Sequence, residues 1–121
     1  MSTVLIVEDN ELNRRLFTDL LNAKGHTVFE ATDGPSALEL VQKEKPDLIL
    51  MDIQLPTVSG VEVTRQIRQI PNITQPRIVA VSAFALKQDA DKALAAGCDD
   101  YISKPIAIGS FFATIDKNLR P

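Results

Sequence analysis

Residues 46–56 read Pro46-Asp47-Leu48-Ile49-Leu50-Met51-Asp52-Ile53-Gln54-Leu55-Pro56. Four consecutive apolar residues without alternation fit a strand covered on both faces, the pattern of a parallel sheet between helix layers. Asp52 ends the run. A carboxylate there reads as a group at the mouth of a buried strand, where ligands bind in open α/β sheets. Three other apolar runs also end on polar groups. Val4-Leu5-Ile6-Val7 ends on Glu8 and Asp9, Ile78-Val79-Ala80-Val81 on Ser82, and Tyr101-Ile102-Ser103 on Lys104-Pro105. If these strands are parallel neighbours, one pocket collects three carboxylates, a hydroxyl and an ammonium.

Outward from that stretch, strand-like and helix-like segments alternate five times. Strands are predicted at Thr3–Val7, Thr27–Ala31, Asp47–Met51, 78–81 and 101–103. A first helix is predicted over Glu11–Ala23, with Leu12, Leu16, Leu20 and Leu21 on its buried stripe, Asn10 as N-cap and Gly25 as stop. Asp33-Gly34-Pro35 opens a second helix that runs to Lys45 and is closed by Pro46, with Ala37, Leu38 and Val41 inward. Further helices are expected over Val61–Ile70, Lys87–Ala96 (alanine-rich, ended by Gly97) and Ile108–Leu119. Strands alternating with helices of this length imply βαβ units with right-handed crossovers. The predicted architecture is an α/β, flavodoxin-like (βα)5 doubly wound sheet of five parallel strands in the order 2-1-3-4-5. That order sets strand 1 beside strand 3, so Asp9 and Asp52 become neighbours.

The bulk composition narrows the function. The 121 residues make one ordinary domain, and 45% hydrophobic with 24% charged residues argues against a disordered chain. No apolar run approaches the roughly 18 residues of a transmembrane helix, and the N-terminus does not read as a secretion signal. The formal net charge is −3 and the basic residues are scattered, which gives nucleic acid little to hold. Cys98 is the single cysteine. No internal disulfide can form, a reducing cytoplasm fits, and the thiol is expected to pack as a small hydrophobe.

Glu8, Asp9 and Asp52 in one pocket would repel. Two unit charges ~4 Å apart cost about 4 kcal/mol at an effective dielectric near 20. Such a cluster should hold a proton or bind a cation. An oxygen-rich set suits Mg²⁺, which takes one or two carboxylates and keeps waters. Lys104 and Ser82 would complete a cradle for a tetrahedral anion, and Asp52 is the candidate nucleophile for a phosphoryl group. Each residue alone has an ordinary explanation: a helix cap for Asp9, a turn for Asp52, a solvated charge for Lys104. Their joint position at four strand ends sets those aside. A phosphatase built on an aspartyl-phosphate would want a second acid two residues after the nucleophile, and Gln54 cannot serve. An adaptor that never takes phosphate would leave costly carboxylates unused.

These residues resemble the phosphoacceptor receiver domain of two-component response regulators. The resemblance covers essentially the whole chain, through Val7-Glu8-Asp9-Asn10, residues 46–52, Pro56 with Gly60, Val81-Ser82-Ala83, Ala96-Gly97 and Lys104-Pro105. It implies that Asp52 is phosphorylated from a histidine kinase phosphohistidine or a phosphotransfer protein. Asp9, Asp52 and the backbone carbonyl of Gln54 would hold Mg²⁺, with Glu8 acting mainly through water. Ser82 and Lys104 would contact the phosphoryl group. Tyr101 would be the aromatic switch, and the bond before Pro105 would be cis. The expected output is binding of a target protein on the fourth helix, fifth strand and fifth helix, without nucleic acid and without membrane insertion. Because no further domain follows Pro121, the reading is of a single receiver, residues 1–121, with no output domain. It would act in the cytoplasm, with recruitment to membrane-bound kinases. The strings Glu8-Asp9-Asn10-Glu11-Leu12-Asn13, Asp52-Ile53-Gln54-Leu55-Pro56 and Ser82-Ala83-Phe84-Ala85 are similar to stand-alone cell-division receivers, and also to receivers fused to hybrid histidine kinases.

Overall fold

Every residue of β3 (Leu48–Asp52) is buried, as its unbroken apolar run requires. The computed structural model describes residues 2–55, 58–83 and 87–120. In chain order the other strands are β1 (Thr3–Val7), β2 (Thr27–Ala31), β4 (Arg77–Ser82) and β5 (Asp100–Ser103). Between and after them come α1 (Glu11–Ala23), α2 (Gly34–Glu44), α3 (Gly60–Arg68), α4 (Lys87–Ala96) and α5 (Ile108–Leu119). All strand pairs are parallel and the order is β2-β1-β3-β4-β5, as predicted.

Alternate residues of the inner strands divide between two apolar layers. Leu5, Val7, Ile49, Met51, Ile78 and Ala80 pack under α2, α3 and α4, against Ala37, Val41, Val63, Ile67 and Ala93. Val4, Ile6, Leu48, Leu50, Val79 and Val81 pack under α1 and α5, against Phe17, Leu21, Phe111 and Ile115. The Phe17 and Phe111 rings stack at 5.7 Å with an interplanar angle of 5°, joining α1 to α5. Such ring pairs contribute about 0.5–1.5 kcal/mol beyond the area they bury. Cys98 is buried as expected, with its Sγ 3.6 Å from Thr64 Oγ1.

Helix starts follow their caps. The side chain of Asn10 accepts from Asn13 N, Asp33 from Ser36 N and Ser59 from Glu62 N. α1 is followed by Gly25 at φ 85 and α2 is closed by Lys45 at φ 49. α2 therefore ends one residue before the predicted Lys45. The strand predicted at Asp47–Met51 is displaced by one residue to Leu48–Asp52, so Asp52 belongs to the strand. The third helix is Gly60–Arg68 in place of Val61–Ile70.

The stripe predicted for α1 is wrong at two positions. Leu12 and Leu16 are 79% and 41% exposed, whereas the helix buries Phe17 and Leu21. Steps of four residues advance about 40° around a helix, so Leu12 and Leu21 lie on opposite sides. Apolar type alone selected Leu12; the aromatic ring chose the face.

Phe17→Ala should cost about 3–5 kcal/mol of unfolding free energy, and Leu12→Ala no more than about 0.5 kcal/mol. Urea unfolding of the two variants measures the difference. Equal losses would restore the predicted stripe.

Candidate functional site

The sheet register decides which polar groups meet. Val7 lies opposite Met51, so Glu8 and Asp9 leave β1 beside Asp52 at the end of β3. Asp52 lies opposite Val81, and Ser82 opposite Ser103. Lys104 N donates to the Ser82 carbonyl at 2.8 Å, which carries the pairing of β4 and β5 past the last strand residue. Four strand ends thus form one rim carrying Glu8, Asp9, Asp52, Ser82 and Lys104.

Glu8, Asp9 and Asp52 each offer a carboxylate oxygen within 4.8 Å of the others. Glu8 and Asp52 are 1% and 3% exposed, while Asp9 faces solvent. Lys104 Nζ lies 3.3 Å from Glu8 Oε1 and 3.8 Å from Asp52 Oδ1. Ser82, 5% exposed, ends β4 on the same rim. Gln54 leaves its side chain outside, and its backbone N–H donates to Asp52 Oδ1 at 2.9 Å. Tyr101 stands 42% exposed on β5, and the Lys104–Pro105 bond is cis. Pro56 and Phe84, also singled out in the sequence, lie outside the described residues.

Burial and the adjoining Asp52 push the Glu8 carboxyl up to about 7, against smaller opposing effects of the Asn10 N–H and the Lys104 ammonium. A carboxyl raised this way lets the cluster relieve its repulsion by taking up a proton as the pH falls through about 7, one of the two outcomes expected of it. The other outcome is also open to it. Three carboxylates against one ammonium make an oxygen donor set compatible with a hard divalent cation.

Sequence reasoning missed three features here. It did not find that Glu8 is the most deeply buried of the acids and the nearer partner of Lys104. It did not find Arg14, which donates to the backbone carbonyl of Glu8 at 3.0 Å. It noted Gly60 only as a motif residue. A Cβ at Gly60 would overlap the carbonyl oxygen of Asp52 and sit 2.9 Å from Ile53 Cα, so only glycine lets α3 start against the end of β3. Regular spacing could have suggested Arg14, one to two turns past the acids; the other two need the three-dimensional arrangement.

The raised Glu8 carboxyl fixes the sign of a pH effect. A proton held more tightly in the folded state stabilises fully below about 4.5, and that stabilisation is lost as the pH rises through about 7. In EDTA the protein should lose on the order of 1–3 kcal/mol between pH 5 and pH 8 through this group. Glu8→Gln should flatten that loss. Parallel stability profiles for the two proteins would rule the effect out.

The family model described as the response regulator receiver domain matches residues 4–116. The polar-differentiation response regulator DivK of Brucella anthropi is 47% identical over 117 residues, which span 97% of this chain and 95% of that protein. Among solved structures, the receiver domain of the sensor histidine kinase PA1611 from Pseudomonas aeruginosa, with a magnesium ion coordinated in its active-site cleft, superposes with a TM-score of 0.88. The two are 32% identical, over 98% of this chain and 97% of that one. The receiver domain of Ssk1, solved with the histidine phosphotransfer protein Ypd1 of Saccharomyces cerevisiae, superposes with a TM-score of 0.85 at 32% identity, over 95% of this chain and 86% of that one. With the match running nearly end to end and the acidic rim in place at the strand ends, the chain belongs to the receiver domain family of response regulators, the phosphoryl-accepting proteins of two-component signalling.

Proposed function

We propose that Asp52 accepts a phosphoryl group from a phosphohistidine and that the modified domain then binds a target through α4, β5 and α5. The observation that carries this reading is a carboxylate 3% exposed at a strand end, with an ammonium 3.8 Å away and two further acids beside it. An Asp52 carboxylate oxygen attacks the phosphorus in line with its bond to the imidazole nitrogen. The P–O bond forms as the P–N bond breaks, and the electron pair leaves with the imidazole. Lys104 shifts from the carboxylates toward a phosphoryl oxygen, and the Ser82 hydroxyl donates to another. Asp9, Asp52 and the backbone carbonyl of Gln54, with Glu8 behind them, are the groups that would hold Mg²⁺. Bound there, the ion would offset the negative charge of the phosphoryl oxygens. The domain thus promotes its own modification; attack of water on the phosphorus, with the P–O bond to Asp52 breaking, would release inorganic phosphate and restore the carboxylate.

The donor must carry its imidazole to Asp52 and therefore covers the rim. Leu12 and Leu16 on α1, which starts two residues after Asp9, and Ile108 at the start of α5 are 79%, 41% and 55% exposed. A hollow between α1 and the segment after β5 is lined by Leu16, Phe17, Lys104, Pro105 and Ile106. These apolar groups suit a histidine kinase or a phosphotransfer protein. The target face draws on different features. α4 buries only Ala90, Ala93 and Ala96, small side chains that hold a helix lightly, and Tyr101 on β5 is the side chain to turn inward with Ser82. A differential interaction of about 5.5 kcal/mol would move such an equilibrium from 1:99 to 99:1.

The domain acts as a single receiver, supported by its match to 95% of a 47% identical relative. That relative's name directs the output to polar differentiation, and the sequence resemblance directs it to cell-cycle or cell-division control. Among the described residues no helix is long and apolar enough to cross a membrane; the cytoplasm, beside membrane-bound kinases, is the place of action.

Incubation with Mg²⁺ and acetyl phosphate should add one phosphoryl group, read by intact mass. Asp52→Asn should abolish the gain, and Lys104→Ala should slow it about 100-fold or more. Uptake by Asp52→Asn would sink the reading. Leu12→Asp should slow transfer from a phosphotransfer protein yet leave the acetyl phosphate rate within about twofold, because the substitution lies on the exposed face. Equal rates from the protein donor would remove α1 from its footprint.

A further inference from the structure

Arg14 lies in the second turn of α1 and reaches back to the loop that carries the acids. Its guanidinium donates to the Glu8 carbonyl at 3.0 Å and to the Asp9 carbonyl at 3.4 Å. On its other side, Nε is 3.5 Å from Glu30 Oε1 on β2. Glu30 also accepts from the Thr18 hydroxyl, one turn further along α1. The Arg14 side chain is 19% exposed, so these contacts form in a partly desolvated setting. From the sheet side, Glu8 N donates to the Ala31 carbonyl at 3.0 Å. The Glu8–Asp9 segment is therefore held from two sides, at the Glu8 N–H by β2 and at the Glu8 and Asp9 carbonyls by Arg14. Asp9 itself is exposed and belongs to that segment.

We propose that Arg14 is a positioning residue, braced by Glu30, that fixes the segment after β1 so that Asp9 is presented to a divalent cation at the rim. This rests on the Mg²⁺ reading above. None of the contacts involves the reacting carboxylate, and the guanidinium works through main-chain carbonyls.

Charge and position predict opposite signs. A guanidinium near a cation site repels the cation, so removing it should tighten binding if charge is its whole contribution. If it holds the loop, removal loosens binding, because Asp9 must then be ordered by the ion itself.

The test titrates Mg²⁺ alone into the full chain, by calorimetry and by the amide shifts of Asp9 and Asn10. Arg14→Gln should raise the Kd about tenfold, the low end for a group that orients a metal ligand. Glu30→Gln should raise it less, and Arg14→Lys should recover part of the loss. Urea unfolding in EDTA checks that each variant is folded. If Arg14→Gln does not fold, Glu30→Gln and Arg14→Lys carry the comparison. An unchanged or lower Kd in the folded variants overturns the positioning role while leaving the Mg²⁺ reading intact. A wild-type chain that takes up no Mg²⁺ overturns both.

Discussion

Two carboxylates buried at the ends of adjacent strands are the constraint to which the rest of this structure answers. Glu8 and Asp52 cannot both be charged, close and dry without compensation. The sheet brings them together through the register of β1 and β3. The compensation comes from the Lys104 ammonium beyond β5 and, as the pH falls through about 7, from protonation of the raised Glu8 carboxyl. Neither is a fixed feature. A proton can leave and an ammonium can swing, so the rim is held by charges that a phosphoryl group and a cation can displace. Stability is given up where chemistry is needed.

The opposite end of the sheet is built otherwise. Arg68 uses its guanidinium on the carbonyls of Gly97 and Pro76, on Gln75 and on Asp99. Asp99 also meets Arg77, which in turn donates to Asn118 on α5. These charged and amide groups tie α3, β4, β5 and α5 into one network. Gly97 fits beneath Arg68 because it has no Cβ; one would stand 2.7 Å from Arg68 Cγ. Through the Gly97 carbonyl the network also holds the C-terminal end of α4.

The fold was largely legible, because the signals that carried it were of the simplest physical kind. Unbroken apolar runs marked strands covered on both faces, and polar residues at the run ends marked the rim. Leu12 and Leu16 misled because apolar residues also occupy surfaces, and only the angular position relative to Phe17 tells the faces apart. Asp52 was read as standing beyond its strand because hydrophobicity ends there, whereas pairing with Val81 continues. The five rim residues were named correctly as neighbours. The Glu8–Lys104 pairing and the Gly60 contact with Asp52 join residues far apart in sequence or depend on a single missing atom. Arg14 acts through main-chain carbonyls, which have no sequence identity to read.

Glu8 and Lys104 are 96 residues apart along the chain. During synthesis the acids emerge from the ribosome early and their ammonium partner late. An incomplete chain therefore carries the rim acids without their ammonium partner, and the charge compensation of the rim arrives only when the last strand joins the sheet.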